Sequence, residues 1–323
     1  MELTGKLFFY TLNLFSMKNS LVFGLVVLLL VGGVVFLQGQ KKSESISKVV
    51  FKGSDTEVQL ISNLIEAFAV KNPGTDMSVT GGGSGVGIAA LINKEADVAN
   101  SSRKMKDEEL AQAKQNGFDA QEFIMARDGL AVIVHPENLL SKLTLEQVGR
   151  LYRGEVKNWK ELGGADEKVV LYGRQSTSGT YVFFRDAIVK GDYAADMRSM
   201  EGTQAIVDGV RLDKNGIGYV GLGYVKDDQG NPRSEIKVVP VALSEKDTYF
   251  TPLDTEAVKS GAYPITRPLY HYLANLPKRN SPLEKFLRFE MSDEGQSDIE
   301  KAGFVSLTPE DRKQNEALFA NIQ

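Results

Sequence analysis

Apolar positions along this chain follow two periods, and polar, glycine-rich turns separate them. Lys48 to Lys52 (KVVFK) reads as a short buried strand, and Val58, Ile61, Leu64, Ile65 and Phe68 then recur at helical spacing until Asn72-Pro73-Gly74 stops the pattern. Met77 to Thr80 reads as a second strand and Ala96 to Ala99 as a third, followed by an amphipathic, charged helix over Lys106 to Asn116. Glu122 to Ala126 leads into a strand interruption at Arg127-Asp128-Gly129, after which Leu130 to Val134 runs as a buried strand. A helix over Leu145 to Arg153 precedes a surface loop, Gly154 to Gly164, with Trp159 as a packing residue beneath it. Strands follow at Val169 to Tyr172, in the glycine-punctuated Asn215 to Val225, at Ile236 to Val241 and at Ile265 to Leu273. Helical patterns over Leu283 to Met291 and Glu294 to Ala302 close the chain. These alternations predict an α/β fold in which Ile265 to Leu273 carries the chain back to the first lobe, so that the connection between lobes is a hinge crossed at least twice.

The chemistry lies in the turns. Tyr172 to Phe184 (YGRQSTSGTYVFF) joins a fixed cation, Arg174, to a small-residue turn that feeds a helix. First-turn peptide N–H groups have no intrahelical partner and carry the positive end of the helix dipole, so an anion fits there. The hydroxyls of Ser178 and Thr180, with close backbone access at Gly179, make this a pocket for a small tetrahedral oxyanion. Ser54 and Thr56 sit at an earlier strand-to-helix turn, where at least one of them is expected to cap the helix, and Gly81 to Gly87 (GGGSGVG) places Ser84 at the next helix start. A nucleotide-binding P-loop needs Lys-Ser/Thr after its last Gly, whereas Ile88 follows here, and the acidic partner of a dinucleotide fingerprint is replaced by Ser101 and Ser102. Turns of this kind gather at the carboxyl edge of an open α/β sheet. Asp128 is either a solvated turn residue or, inside an oxyanion pocket, an acceptor that favours a ligand still carrying a proton. Hydrogen phosphate has such a proton and sulfate does not.

Composition narrows the classes. With 323 residues the chain is long enough for two domains, and its formal charge of −4, without a dense Lys/Arg cluster, argues against nucleic acid as a partner. There is no cysteine and there are only two histidines, which removes disulfides, thiolate metal sites and a lipid-modified N-terminal cysteine, and leaves metal or His-based catalytic clusters poorly supplied. Ser178 has no nearby His and no GxSxG context, so no cofactor and no enzymatic activity is expected. Leu21 to Leu37 is an uninterrupted apolar and glycine run, readable as a signal peptide or as a membrane anchor; the weak cleavage site at Leu37-Gln38-Gly39 favours the uncleaved anchor. Flanking lysines leave its orientation unspecified, and either reading puts the rest of the chain outside the cytoplasm.

Taken together, GSDT at Gly53 to Thr56, GGGSGVGI at Gly81 to Ile88, ANSSR at Ala99 to Arg103, ARDGLAVIVHP at Ala126 to Pro136, GEVKNWKELGG, YGRQSTSGT, GIGYVGLGY and the terminal SDEGQSDIEKAGFVSL resemble the phosphate-binding proteins of phosphate-specific ABC importers. These are members of the type II periplasmic-binding-protein superfamily. The resemblance implies two α/β lobes joined by a hinge around a ligand cleft. The expected boundaries are an N-terminal segment and tether over 1–47, a first lobe over 48–127, a second over 128–261 and a return to the first over 262–323. It implies inorganic phosphate as ligand, ABC permease subunits as partners, and a place in the periplasm or on the outer face of the cytoplasmic membrane. Carried over by position, the ligand contacts are Ser54, Asp55, Thr56, Ser84, Ser102, Asp128, Arg174, Ser178, Gly179 and Thr180. Some members carry an Asp at the position of Ser102, so here Asp128 must supply any proton-accepting carboxylate. Members also often carry an acidic residue just after the motif's Arg; Gln175 and Ser176 stand there, which predicts a less neutralised Arg174. An anchored anion sensor, or a receptor for sulfate or molybdate, would use the same fold.

Overall fold

The computed structural model describes residues 48–227 and 229–322; the Leu21 to Leu37 run lies outside them. Among the described residues no helix is long and apolar enough to cross a membrane.

The first part of the chain alternates β1 (Lys48–Gly53), α1 (Val58–Lys71), β2 (Asp76–Thr80), α2 (Ser84–Ile92), β3 (Val98–Ser101) and α3 (Asp107–Gln115). The apolar stripe of α1 buries Leu60, Ile61, Leu64 and Phe68, and Asn72 ends the helix by donating its N–H back to Phe68 and Ala69. Next come β4 (Gln121–Val134), β5 (Leu143–Thr144), α4 (Leu145–Tyr152), β6 (Val170–Arg174), α5 (Gly179–Phe184), β7 (Arg198–Met200), α6 (Thr203–Leu212) and β8 (Gly216–Gly221). Then follow β9 (Lys237–Val239), β10 (Val241–Ala242), α7 (Thr255–Lys259), β11 (Thr266–Leu273), α8 (Pro282–Met291), α9 (Asp293–Lys301) and α10 (Pro309–Ala320). Trp159 is buried, with its indole N–H donating to the Asn215 carbonyl at 3.1 Å.

The main sheet runs β2-β1-β3-β11-β4-β8-β6-β7, with β9 also on β4. Strands β1, β2 and β3 are parallel, whereas β11 lies antiparallel between β3 and β4. β4 is continuous across Arg127-Asp128-Gly129, where the sequence predicts a strand interruption. Its first part, up to Gly129, pairs with β11; from Leu130 on it pairs with β8 and β9. Asp128 therefore sits inside a strand, near the point where that strand changes partners. The apolar core follows the same change. One buried cluster is built from residues between Leu130 and Ile265 together with Val305. The others are built from residues up to Ala126 and from Leu269 onward, such as Phe51, Leu64, Met125, Leu269 and Phe286.

Candidate anion-binding site

The sheet's parallel strands end in turns whose hydroxyls converge. After β1, the turn presents Ser54, Asp55 and Thr56; after β3, it presents Ser102; Ser84 opens α2; and Ser178, Gly179 and Thr180 open α5. Ser54, Thr56, Ser84, Ser102, Ser178 and Thr180 are all buried. Ser54 Oγ contacts Ser102 Oγ, the Ser102 N–H donates to Ser84 Oγ at 3.0 Å, and Thr56 Oγ1 lies 3.1 Å from Thr180 Oγ1. The last contact joins residues 124 apart in the chain.

Glycine lets the two sides meet. A Cβ on Gly179 would lie 2.2 Å from Ser84 Oγ, and one on Gly83, at φ +95°, would lie 2.7 Å from the Thr177 carbonyl oxygen. Gly85 N–H donates to that same carbonyl at 3.0 Å. Any side chain at Gly179 would push α2 and α5 apart. Ser178 caps α5, accepting from the Tyr181 N–H at 3.3 Å, so its hydroxyl has a structural task whether or not an anion is bound. Ser54 and Thr56, in contrast, are not side-chain caps of α1: its N-cap is Glu57, with no capping hydrogen bond.

Arg174 and Arg267 border the hydroxyls. Arg174, at the end of β6, is 1% exposed; it donates through Nη1 to Thr203 Oγ1 at 3.0 Å and through Nη2 to the Asp55 carboxylate. Its Nε has no hydrogen-bond partner among the described residues. The expectation of a poorly neutralised Arg174 is corrected here. The acidic partner comes from Asp55, 119 residues earlier, and not from the positions that follow the arginine. Both Asp55 carboxylate oxygens are engaged, one by Arg174 and the other by the Gly82 N–H at 2.9 Å, and the Asp55 carbonyl accepts from the Tyr224 hydroxyl at 2.7 Å.

Arg267, on β11, donates to Asp128 Oδ2 from Nη2 at 2.9 Å and to the Ser102 carbonyl from Nη1 at 3.1 Å. Asp128 Oδ1 accepts from the Leu222 N–H at 2.9 Å. Burial pushes the Asp128 carboxyl up, and Arg267 and the Leu222 N–H pull against it. A Cβ on Gly221 would meet Thr56 Cγ2 at 2.8 Å and Asp128 Oδ2 at 3.1 Å, which places Asp128 beside the hydroxyl cluster. A solvent groove of about 850 Å³, lined by Thr56, Gln204, Tyr224, Lys226 and Lys301 among others, reaches the cluster at Thr56.

All the anticipated residues thus fall in one neighbourhood. Thr203, Tyr224, Arg267 and Glu57 join them without having been anticipated. An Arg inside an apolar returning strand was the available signal for Arg267. Among the described residues no group of His, Asp and Glu could hold a metal ion.

The assembled chemistry is a buried set of hydroxyls, first-turn peptide N–H groups and the Arg174 Nε, which has no partner among the described residues. Such donors suit a small oxyanion. The chain is similar to known proteins. A family model described as a PBP superfamily domain matches residues 39–294. The Phosphate-binding protein PstS of Pseudomonas aeruginosa is 32% identical over 284 residues, covering 83% of this chain and 85% of that protein. Its namesake in Staphylococcus haemolyticus is 30% identical over 275 residues, covering 84% and 82%. A crystal structure of a Clostridium perfringens substrate-binding protein with bound phosphate superposes with a TM-score of 0.69 at 28% identity, covering 81% of this chain and all of that one.

Proposed function

The chain belongs to the PBP superfamily and, within it, to the phosphate-binding proteins, and we propose that it captures inorganic phosphate at the Ser54–Thr180 hydroxyl cluster and passes it to an ABC permease. The observation that carries this reading is the burial of Arg174 Nε without a partner, among the described residues, on a guanidinium that is held by Asp55, which lies between Ser54 and Thr56 in the turn after β1. An unmatched buried donor is costly, and an anion offsets that cost.

In this reading residues 48–127 together with 262–323 form one lobe and residues 128–261 the other, and the two close on the ligand. The separate apolar clusters on either side of the β4 partner change support independent motion of the two. The site residues named from the sequence act together: Ser54, Thr56, Ser84, Ser178 and Thr180 through hydroxyls, Ser102 by backing the Ser54 hydroxyl, Asp55 and Gly179 through backbone, and Arg174 through its guanidinium. Asp128 accepts the ligand's remaining proton. The protein works outside the cytoplasm, held there by its N-terminal segment, and carries out no chemistry of its own.

Calorimetric titration of the full-length chain in detergent, stripped of ligand, tests this. One-to-one phosphate binding that is stronger than sulfate binding, and that falls on the order of a hundredfold in Arg174→Ala, is expected from the loss of a charge-assisted contact in a dry site. Preference for sulfate or molybdate would overturn the ligand while leaving the fold.

A further inference from the structure

Beneath the hydroxyls lies a set of buried groups that the capture of an anion does not by itself require. Glu57 is fully buried, with Oε1 3.1 Å from Ser102 Oγ, and Ser102 Oγ in turn contacts Ser54 Oγ. Glu57 Oε2 has no hydrogen-bond partner among the described residues. The same is true of both side-chain polar atoms of Asn100, of His271 Nδ1 and of Glu290 Oε2. Asn100 and His271 are directly opposite on β3 and β11, so their side chains share one face of the sheet. His271 Nε2 lies 3.1 Å from Glu290 Oε1.

We propose that Glu57 is a positioning residue that sets the direction in which the Ser54 and Ser102 hydroxyls donate, coupling phosphate capture to uptake of a proton. The proposal rests on the reading of the site as a phosphate receptor. Each hydroxyl has one proton to give, and an ionised carboxylate can only accept. With Glu57 ionised, Ser102 donates to Oε1 and its oxygen accepts from Ser54, so both hydroxyl protons run away from an anion. With Glu57 protonated, the carboxyl donates to Ser102 Oγ, Ser102 donates to Ser54, and the Ser54 proton is left for the ligand.

The surroundings make both states accessible. The charged and titratable groups facing Glu57 are His271 and Arg267 from β11, with Glu290 of α8 behind His271; Ser54 and Ser102 contact it directly. Burial pushes the Glu57 carboxyl up to about 7, against the pull of His271, the two serines and Arg267. Burial pulls His271 down, but Glu290 and then Glu57 outweigh this and leave it raised. An anion arriving at Ser54 adds like charge and drives the carboxyl further towards its neutral form. Above neutrality the free protein must therefore take up a proton to bind.

The experiment is titration of the full-length chain with inorganic phosphate from about pH 6 to about pH 8.5, a window that brackets the Glu57 titration. It is run in pairs of buffers of different ionisation enthalpy, comparing wild type with Glu57→Gln. The Gln amide donates to Ser102 Oγ at every pH, and subtracting its profile removes the ligand's own titration. Relative to this variant, wild type should take up as much as one additional proton and lose affinity by up to about tenfold per pH unit above the Glu57 titration. Ser102→Ala, which cuts the chain between the carboxyl and Ser54, should abolish the same proton uptake by an independent route. Phosphate binding with identical proton counts and pH profiles in wild type and variants overturns the role of Glu57 and leaves the receptor standing. Absence of phosphate binding to wild type at any pH overturns both.

Discussion

Two arginine–aspartate pairs flank the hydroxyls, and they are built in opposite ways. Asp128 and Arg267 face each other in register on neighbouring strands, and their side chains are 0% and 2% exposed. The strand ladder fixes their distance before any side chain moves. Asp55 and Arg174 instead reach across from the turn after β1 to the end of β6, and the Asp55 side chain is 21% exposed. Nothing in the ladder holds them; they meet because the turns meet. The first pair is framework that also holds Asp128 in place beside the hydroxyls, and the second is a latch, so the same residue types on two sides of one site are fixed by the ladder in one case and by the meeting of turns in the other.

Breaking the framework should have the larger effect. Arg267→Ala would leave Asp128 buried, with the Leu222 N–H still donating to it but no cation facing it. Removing one partner of a buried pair costs about 3–5 kcal/mol, much of it the penalty of the stranded charge. Urea denaturation of the ligand-free full-length chain should show a loss of this size. Double replacement with Asp128→Asn should recover part of it, because the amide carries no charge to strand. A loss under about 1 kcal/mol for Arg267→Ala would mean that this pair is not framework.

The difference between the pairs also explains what the sequence made legible. Local signals were enough where neighbours in the chain are neighbours in space: the stripe of α1 and its stop at Asn72 match the observed helix, and the Ser-, Thr- and Gly-rich turns do gather at the strand ends. Asp128 looked like an interruption because a charged residue inside an apolar run has no local justification. Its justification is Arg267, 139 residues away, and with that cation in register the strand has no reason to break. Glu57 was invisible for the same reason: a Glu at a helix start is normally solvated, and only the folding of β11 and the β3 turn over it makes it buried. Helix α10 went unpredicted because its buried residues include Asp311 and Asn315, which carry no apolar stripe. Long-range partners satisfy them: Arg127 lies 2.6 Å from Asp311, and Asn315 bonds the Ile124 backbone.

The latch offers the smaller and sharper test. Asp55→Asn keeps the shape and removes the charge that neutralises Arg174. Stability should fall by less than in Arg267→Ala, because the Asn carbonyl can still accept from the buried Arg174 guanidinium, which loses the charge opposite it but keeps a hydrogen bond. What should change is the character of binding. On the proposed reading the anion in wild type is held largely by neutral hydroxyls and peptide dipoles, and Asp55 offsets the charge of Arg174, so phosphate affinity should vary modestly with ionic strength. In Asp55→Asn the full charge of Arg174 faces the ligand, and an unbalanced cation attracts any anion, with screening by salt. Titration of both proteins at low and high potassium chloride should therefore give a steeper salt dependence for the variant and a narrower gap between phosphate and sulfate. Parallel salt profiles would mean that Asp55 does not temper Arg174 towards the ligand, and the pair would then be a second piece of framework.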